Sequence, residues 1–231
     1  MLYPSSMTYY PILLKVENQK CLLIGAGEVG LRKLKSLLQC NPDEIRVVDT
    51  CDPSPEMLRI GEDPRVFIEK RAFDPSDLDE MFMVFACTSN AGVNKMIADL
   101  CLQKKILCNI ADYPEGSNFI VPSVIRQGDL TLAVSTGGNS PAFTKKIRSD
   151  LQGIFGDHYA KFLTLMGRLR PMVLDLGEET SQNTALFRHL VASPILDELE
   201  AGNLSRVNEL LAEILPDELV SHIPELTDDF I

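Results

Sequence analysis

Three glycines stand at a spacing that suits a phosphorylated ligand. Gly25, Gly27 and Gly30 follow an apolar run and open a helix-period segment, in the pattern G-x-G-x-x-G. The first glycine permits a tight turn, the second lets a pyrophosphate approach the backbone, and the third lets the helix pack on the strand. The pyrophosphate would then lie at the positive end of the helix, beside Glu28 and Val29. A plain strand-to-helix turn is the alternative interpretation.

Asp49 stands 19 residues beyond Gly30, at the end of a second apolar run. A carboxylate at this position can accept both hydroxyls of a ribose. Because no arginine adjoins it to hold a 2′-phosphate, the sequence predicts NAD rather than NADP as the cofactor. An exposed residue at a strand end explains Asp49 as well. Thr88 and Asn90 follow a fourth apolar run, where they would contact the nicotinamide half of the dinucleotide, and Asn90 fits a helix cap equally well.

Asp112 lies between a fifth apolar run and a Pro-Glu-Gly turn. Because the carboxyl ends of parallel strands form the ligand crevice, its carboxylate would face the nicotinamide ring. There it could accept a proton from a substrate that transfers hydride to NAD. A turn aspartate that caps the segment YPEG explains the same residue, and spacing alone does not separate the two interpretations.

The elements that must position these residues alternate between apolar runs and helical segments. The five runs are KCLLIG, EIRVVDT, RVFIEK, MFMVFACT and KILCNIA. Strands that alternate with helices predict an α/β fold, a Rossmann-type doubly wound parallel sheet, over residues 7–113. Residues 1–6 are predicted to be a disordered extension.

The pattern changes after residue 113. Two β-rich runs flank RQGD, which indicates a hairpin, and a helix follows with Ser140 as its cap and Pro141 in its first turn. Residues 114–152 are therefore a small α+β segment, and residues 153–231 are a helical domain. Residues 171–231 hold 13 acidic and 2 basic residues, so the net charge of −11 belongs to this last part of the chain.

Composition excludes several classes of function. The net charge argues against nucleic acid as a partner. The six cysteines form no C-x-x-C pair and the three histidines have no ligand spacing, so we expect reduced thiols, no resident metal and a cytoplasmic location. The longest apolar runs are too short to span a bilayer, and no signal peptide is expected.

Residues 9–152 resemble the precorrin-2 dehydrogenase/sirohydrochlorin ferrochelatase family, the N-terminal part of siroheme synthases. The resemblance rests on IGAGEVGLRK, ACTSNAGVN and the long motif CNIADYPEGSNFIVPSVIRQGDLTLAVSTGGNSPAFTKKIR. It implies NAD-dependent oxidation of precorrin-2 to sirohydrochlorin, and in some members insertion of ferrous iron to give siroheme. It also implies that Asp112 is the acid/base residue, with Asn109 and Pro114 completing its motif and Asn109 predicted to bind substrate. Members form homodimers through the segment after this aspartate, so residues 114–152 would be the dimerisation segment, and no fused methyltransferase domain is expected here.

A polar loop opens the helix after the hairpin and would form an anion seat for the substrate. Its members are Ser135, Thr136, Gly137, Gly138, Asn139 and Ser140, and simple turn-and-cap chemistry is the alternative. Thr136 stands where many relatives have a serine that can carry phosphate. Arg126 and Lys145, with Lys146 and Arg148, would pair with substrate carboxylates or lie on a solvated surface.

Two interpretations stay open for the remaining features. Arg32 and Lys33 would contact the dinucleotide or a second subunit, or they are ordinary charges on a helix surface. A non-catalytic NAD-sensing module that regulates a partner explains the glycines and Asp49 equally well. It does not account for the segment YPEGSNF and its continuation to STGGNSP.

Overall fold

The computed structural model describes residues 9–111 and 113–230. The predicted extension, residues 1–6, lies outside them. The chain divides into two compact units, Met1–Val121 and Pro122–Ile231. The finer division into four segments stays a prediction.

The first unit is a five-stranded parallel sheet with the strand order β3-β2-β1-β4-β5. Its strands are β1 (Lys20–Ile24), β2 (Glu44–Asp49), β3 (Val66–Lys70), β4 (Met83–Ala86) and β5 (Leu107–Ile110). Its helices are α1 (Glu28–Leu38), α2 (Pro55–Ile60) and α3 (Ala91–Lys104), with 3₁₀ turns at Pro75–Leu78 and Pro114–Gly116. The predicted Rossmann-type fold is confirmed, and each of the five apolar runs forms one strand.

The sheet is buried on both faces, as its nearly continuous apolar strands require. In β1, Cys21 and Leu23 pack on the side of Leu34 and Leu37 from α1. Leu22 and Ile24 point to the opposite side, where Ile97 and Cys101 of α3 cover the sheet. This alternation fixes the register, and with it the carboxyl ends of β1, β2, β4 and β5 where the predicted site residues stand.

The second unit begins with an antiparallel hairpin. Its strands are β6 (Ser123–Gln127) and β7 (Leu130–Val134), paired so that Gln127 faces Leu130 across a turn in which Gly128 has φ +55°. The helices are α4 (Pro141–Ile154), α5 (Asp157–Asp175), α6 (Thr180–Ala192), α7 (Ile195–Glu200), α8 (Leu204–Ile214), α9 (Asp217–Val220) and α10 (Ile223–Thr227). The helices α5 to α10 enclose their own apolar core around Leu165, Leu169 and Leu211.

Candidate functional site

The glycine turn between β1 and α1 has one open position and two closed ones. Gly25 adopts φ +101°, and a Cβ there would lie 2.6 Å from the carbonyl oxygen of Cys87. A Cβ on Gly30 would collide with the carbonyl oxygen of Gly25, whereas one on Gly27 would meet nothing within 4 Å. Gly27 caps α1 without a side-chain hydrogen bond. The open space at the helix start therefore suits a pyrophosphate, as the sequence pattern predicts.

Asp49 at the end of β2 is tied to this turn. Its carboxylate accepts hydrogen bonds from the backbone N–H of Ala26 and from that of Cys51. A carboxylate offers about four acceptor sites, so both bonds leave room for ribose hydroxyls. The cation opposite Asp49 in the strand register is Lys70, and its ammonium pairs with Asp52 at 2.6 Å. This ion pair holds the Lys70 ammonium at Asp52 rather than at the position of the 2′-phosphate of NADP.

Thr88 and Asn90 form the turn that enters α3. The Asn90 side chain accepts from the N–H groups of Gly92 and Val93, so it acts as the helix cap. The Thr88 hydroxyl donates to Oδ1 of Asn94 at 2.7 Å, and the Asn94 amide donates back to the Thr88 carbonyl at 2.9 Å. Asn94 is buried, and nothing in the sequence singles it out. The two predicted contact residues are therefore held in place by a local network.

The segment after β5 returns along the outer edge of that strand. Asn118 accepts from the N–H of Cys108 and donates to the carbonyl of Ile106, both at 2.8 Å. Its own N–H donates to the carbonyl of Cys108, and the Ser117 hydroxyl accepts from the N–H of Ile110 at 2.9 Å. These contacts fix the outer edge of β5 from Ile106 to its carboxyl end at Ile110, without a further strand.

A cavity of about 290 Å³ opens at this carboxyl end. Its walls are the start of α1, the end of β5 and the returning segment; the lining residues are Val29, Arg32, Lys33, Asn109, Ile110, Ala111, Pro114, Ser117, Ile120 and Val121. Asn109 donates its amide N–H to the carbonyl of Phe119 at 3.1 Å, which fixes its side chain as part of the wall. The cavity thus adjoins the first turn of the helix that follows the glycines.

Lys33 is half-buried in the wall of this cavity. Its ammonium lies 5.2 Å from the ring centroid of Phe85, a cation–π arrangement, and the Phe119 ring forms a T-shaped contact with the same ring. Burial lowers the pKa of Lys33, and the neighbouring charge of Arg32 lowers it further, whereas Cys87 opposes the shift.

A second cavity of about 330 Å³ lies at the start of α3 and is lined by Thr88, Ser89, Ala91, Asn94, Lys95 and Tyr113. Ala111 and Pro114 line the first cavity, and Tyr113 lines the second. The described neighbours of position 112 therefore line two different cavities. Asp112 itself lies outside the described residues, so its role as the acid/base residue stays a prediction.

The polar loop after β7 uses its side chains internally. Thr136 contacts Ser140 and shares a 3.1 Å hydrogen bond with Thr144, while Asn139 donates to the Thr136 carbonyl. Ser135 accepts from Gly137, and Ser140 caps α4 by accepting from Phe143. Gly137 and Gly138 both have positive φ, at +62° and +89°. These bonds are turn-and-cap chemistry, and a substrate role for the loop stays a prediction.

The four basic residues that are predicted to pair with substrate carboxylates are exposed. Lys146 pairs with Asp150 at 2.8 Å, and Arg126, Lys145 and Arg148 are also exposed side chains. Their contact with substrate stays a prediction. In the parts of the chain that the structure describes, no three His, Cys, Asp or Glu side chains gather as a group that could hold a metal ion.

Comparison with known proteins identifies the family. Residues 12–123 match a family model described as putative NAD(P)-binding, and residues 127–153 match one described as the central part of a sirohaem biosynthesis protein. A siroheme synthase of Serratia proteamaculans is 30% identical over 95% of this chain. This chain belongs to the siroheme synthase family. The predicted resemblance and the predicted dinucleotide-binding domain are confirmed.

Two further relatives define what the siroheme synthase family shares with this chain. A siroheme synthase of Pectobacterium atrosepticum is 32% identical over 72% of the chain. The chain spans 36% of that relative and 46% of the Serratia protein, so it corresponds to less than half of either. The solved structure of SirC, a precorrin-2 dehydrogenase, has the same fold, with a TM-score of 0.73, 23% identity and coverage of 87% of this chain and 100% of that one.

The segment NIADYPEGSNF holds two positions whose structural role the sequence alone does not reveal. Ser117 and Asn118 form hydrogen bonds with the edge of β5. The sequence feature that could have indicated this role is a pair of polar residues ten residues or fewer beyond the strand. In the sequence, Lys33 looks like a surface charge or a contact residue, although in the structure it packs on Phe85.

No helix among the described residues is long and apolar enough to cross a membrane.

Proposed function

We propose that this chain oxidises precorrin-2 to sirohydrochlorin with NAD as the hydride acceptor. The observation that carries the proposal is the cavity at the end of β5, which shares its wall with the first turn of α1 just after the open Gly27. A dinucleotide whose pyrophosphate occupies the glycine turn reaches the ends of β4 and β5 with its nicotinamide. The solved relative with the same fold is named a precorrin-2 dehydrogenase.

NAD supplies the hydride acceptor when it is bound. The chain's own residues then have three tasks in the proposal. The glycine turn and Asp49 hold the dinucleotide, and Asn109 with Ser117 keeps the end of β5 in place. Asp112 takes the proton that the macrocycle loses with the hydride. The preference for NAD over NADP follows from the negative charge of Asp49 and from the pairing of Lys70 with Asp52.

Incubation of the protein with precorrin-2 and NAD tests the proposal directly. Sirohydrochlorin should accumulate by its absorption spectrum, in step with NADH. No change in either signal, with an active dehydrogenase as the control, would reject the proposal. Binding of NAD without any affinity for a tetrapyrrole would instead favour the NAD-sensing module.

Two accompanying properties are also proposals. None of the 14 residues of α4 is buried, and Phe143 and Ile154 are 54% and 57% exposed. We therefore propose that this helix and the β6–β7 hairpin form a homodimer interface.

All six cysteines are free thiols, which is typical of a cytoplasmic protein. Nucleic acid and membrane are not proposed as partners.

Insertion of ferrous iron into sirohydrochlorin stays a prediction of the resemblance. An anaerobic assay with sirohydrochlorin and ferrous iron decides it through the formation of siroheme. Iron is a substrate in that reaction, delivered to the macrocycle.

A further inference from the structure

Two adjacent cations stand in the described wall of the cavity at the end of β5. Arg32 and Lys33 line it, and no carboxylate stands among the lining residues that the structure describes. The net charge of −11 belongs to residues 171–231, and the rest of the chain is neutral overall. Two adjacent cations on one cavity wall therefore mark this surface as a place for an anion.

Within residues 9–111 and 113–230, no carboxylate lies in ion-pair distance of Arg32 or Lys33. Two residues further along α1, Lys35 pairs with Glu56 at 2.6 Å. A half-buried ammonium that lacks a counter-charge costs free energy, because water no longer solvates it fully. An anionic ligand would remove that cost.

The position of the pair decides which anion it would receive. The cofactor pyrophosphate belongs at Gly27, where a Cβ would meet nothing within 4 Å. Arg32 and Lys33 lie one turn deeper in α1, on the cavity side, and Lys33 is held over the buried ring of Phe85. An anion bound here would lie beside the end of β5, where the substrate must meet the nicotinamide.

We propose that Arg32 and Lys33 receive a carboxylate side chain of the tetrapyrrole substrate and so fix how the macrocycle lies in the cavity. The inference rests on the proposed dehydrogenase function and adds the recognition of its polyanionic substrate. Arg32 is exposed and forms the rim, whereas Lys33 forms the wall. The guanidinium can grip a carboxylate with two donors, and the ammonium adds a charge that Phe85 holds in one place.

The test uses Lys33→Met and Arg32→Met in the full chain, with Lys33→Arg as a charge-conserving variant and Lys35→Met as the matched control on the same helix. Methionine keeps the apolar stem of lysine over Phe85, so the fold should be preserved. Three quantities are measured: the Kd for sirohydrochlorin by spectral titration without cofactor, the Kd for NAD, and KM and kcat for precorrin-2.

Loss of one charge-assisted contact should raise the sirohydrochlorin Kd and the precorrin-2 KM about tenfold or more in Lys33→Met and in Arg32→Met. The NAD Kd should stay within about twofold, Lys33→Arg should recover most of the affinity, and Lys35→Met should match the wild type. Wild-type affinity should also fall with added salt more steeply than that of Lys33→Met.

Two results would overturn the inference while the dehydrogenase function stands. One is unchanged tetrapyrrole affinity in both methionine variants of an active enzyme. The other is weaker NAD binding with an unchanged sirohydrochlorin Kd, which would assign the pair to the cofactor. A wild-type protein that neither oxidises precorrin-2 nor binds sirohydrochlorin would remove the proposed function and the inference with it.

Discussion

The carboxylate of Asp49 accepts a hydrogen bond from the backbone N–H of Ala26, so the end of β2 is joined directly to the glycine turn after β1. The residue predicted to bind a ribose therefore also shapes the loop that is predicted to bind the pyrophosphate. A change at Asp49 should act on both halves of the cofactor site.

We expect Asp49→Ser to raise the NAD Kd about tenfold, because a charged acceptor is lost from the turn and from the ribose. The same change removes a negative charge that repels a 2′-phosphate, so the ratio of NADP Kd to NAD Kd should fall. Titration of both dinucleotides measures this ratio. Asp43→Ser, at the opposite end of β2, is the control, and an unaltered ratio in Asp49→Ser would contradict the assignment.

The glycines of the turn should separate stability from binding. Gly30→Ala should lower the free energy of unfolding by about 2–3 kcal/mol, because its Cβ collides with the Gly25 carbonyl. Gly27→Ala should leave unfolding nearly unchanged, since its Cβ has open space, yet weaken NAD about tenfold by blocking the pyrophosphate. Urea denaturation and NAD titration give the two quantities. Normal NAD affinity in Gly27→Ala would place the pyrophosphate elsewhere.

Asp112→Asn should reduce turnover of precorrin-2 by about 10²- to 10⁴-fold, because the amide cannot take the proton. The NAD Kd should stay at the wild-type value. Glu115→Gln is the matched control, since Glu115 is an exposed acid in the 3₁₀ turn of the same loop. An active Asp112→Asn enzyme would remove this residue from the mechanism.

Phe143→Glu should convert the proposed dimer into a monomer, because it places a charge on the exposed apolar side of α4. Light scattering should give twice the chain mass of 25.7 kDa for the wild type and the single mass for the variant. Val191→Glu alters another exposed apolar residue of the same unit and should stay dimeric. A wild-type monomer would reject the interface.

Asp77 should make stability sensitive to acid. Burial raises its pKa, but two hydrogen bonds from Arg71 and one from the Asp74 N–H outweigh burial, so its pKa is lowered from 3.8. The ionised form therefore stabilises the fold above about pH 4, and the effect is lost as pH falls through the lowered pKa. Asp77→Asn should cost about 2 kcal/mol at neutral pH, with a gap to the wild type that narrows progressively as pH falls below 3.8. Asp79→Asn, in an exposed pair with Lys104, should change little. Thermal unfolding from neutral to acidic pH measures the gap, and a gap that does not narrow as pH falls below 3.8 would contradict the assignment.

The sequence predicts the elements well because their cause is local. Each apolar run of the first unit forms a strand, and Asn90 and Ser140 cap α3 and α4 through side chains within three residues of their partners. The hairpin follows from its turn residues, with Gly128 in the left-handed region. Periodicity and capping act over a few residues, so they can be recognised in a single chain.

The candidate site is harder to predict because its contacts are not local. Asn118 pairs with backbone groups ten or more residues earlier, and Lys33 of α1 meets Phe85 of β4, far along the chain. Neither contact produces a hydrophobic periodicity or a motif that could be recognised in the sequence. Asn94 is similar, since it looks like an ordinary helix residue until the fold brings Thr88 against it.

The amide of Asn118 and the hydroxyl of Ser117 have a consequence for how copies of this protein behave toward one another. An uncovered outer strand is a template on which a strand from another molecule can align and start a fibrous aggregate. Here side chains already occupy the outward-facing groups of Ile106, Cys108 and Ile110. The sheet can therefore end at β5 and stay open to ligands at its carboxyl end. Along the outer edge of β5, a strand from another molecule would find these backbone groups already hydrogen-bonded.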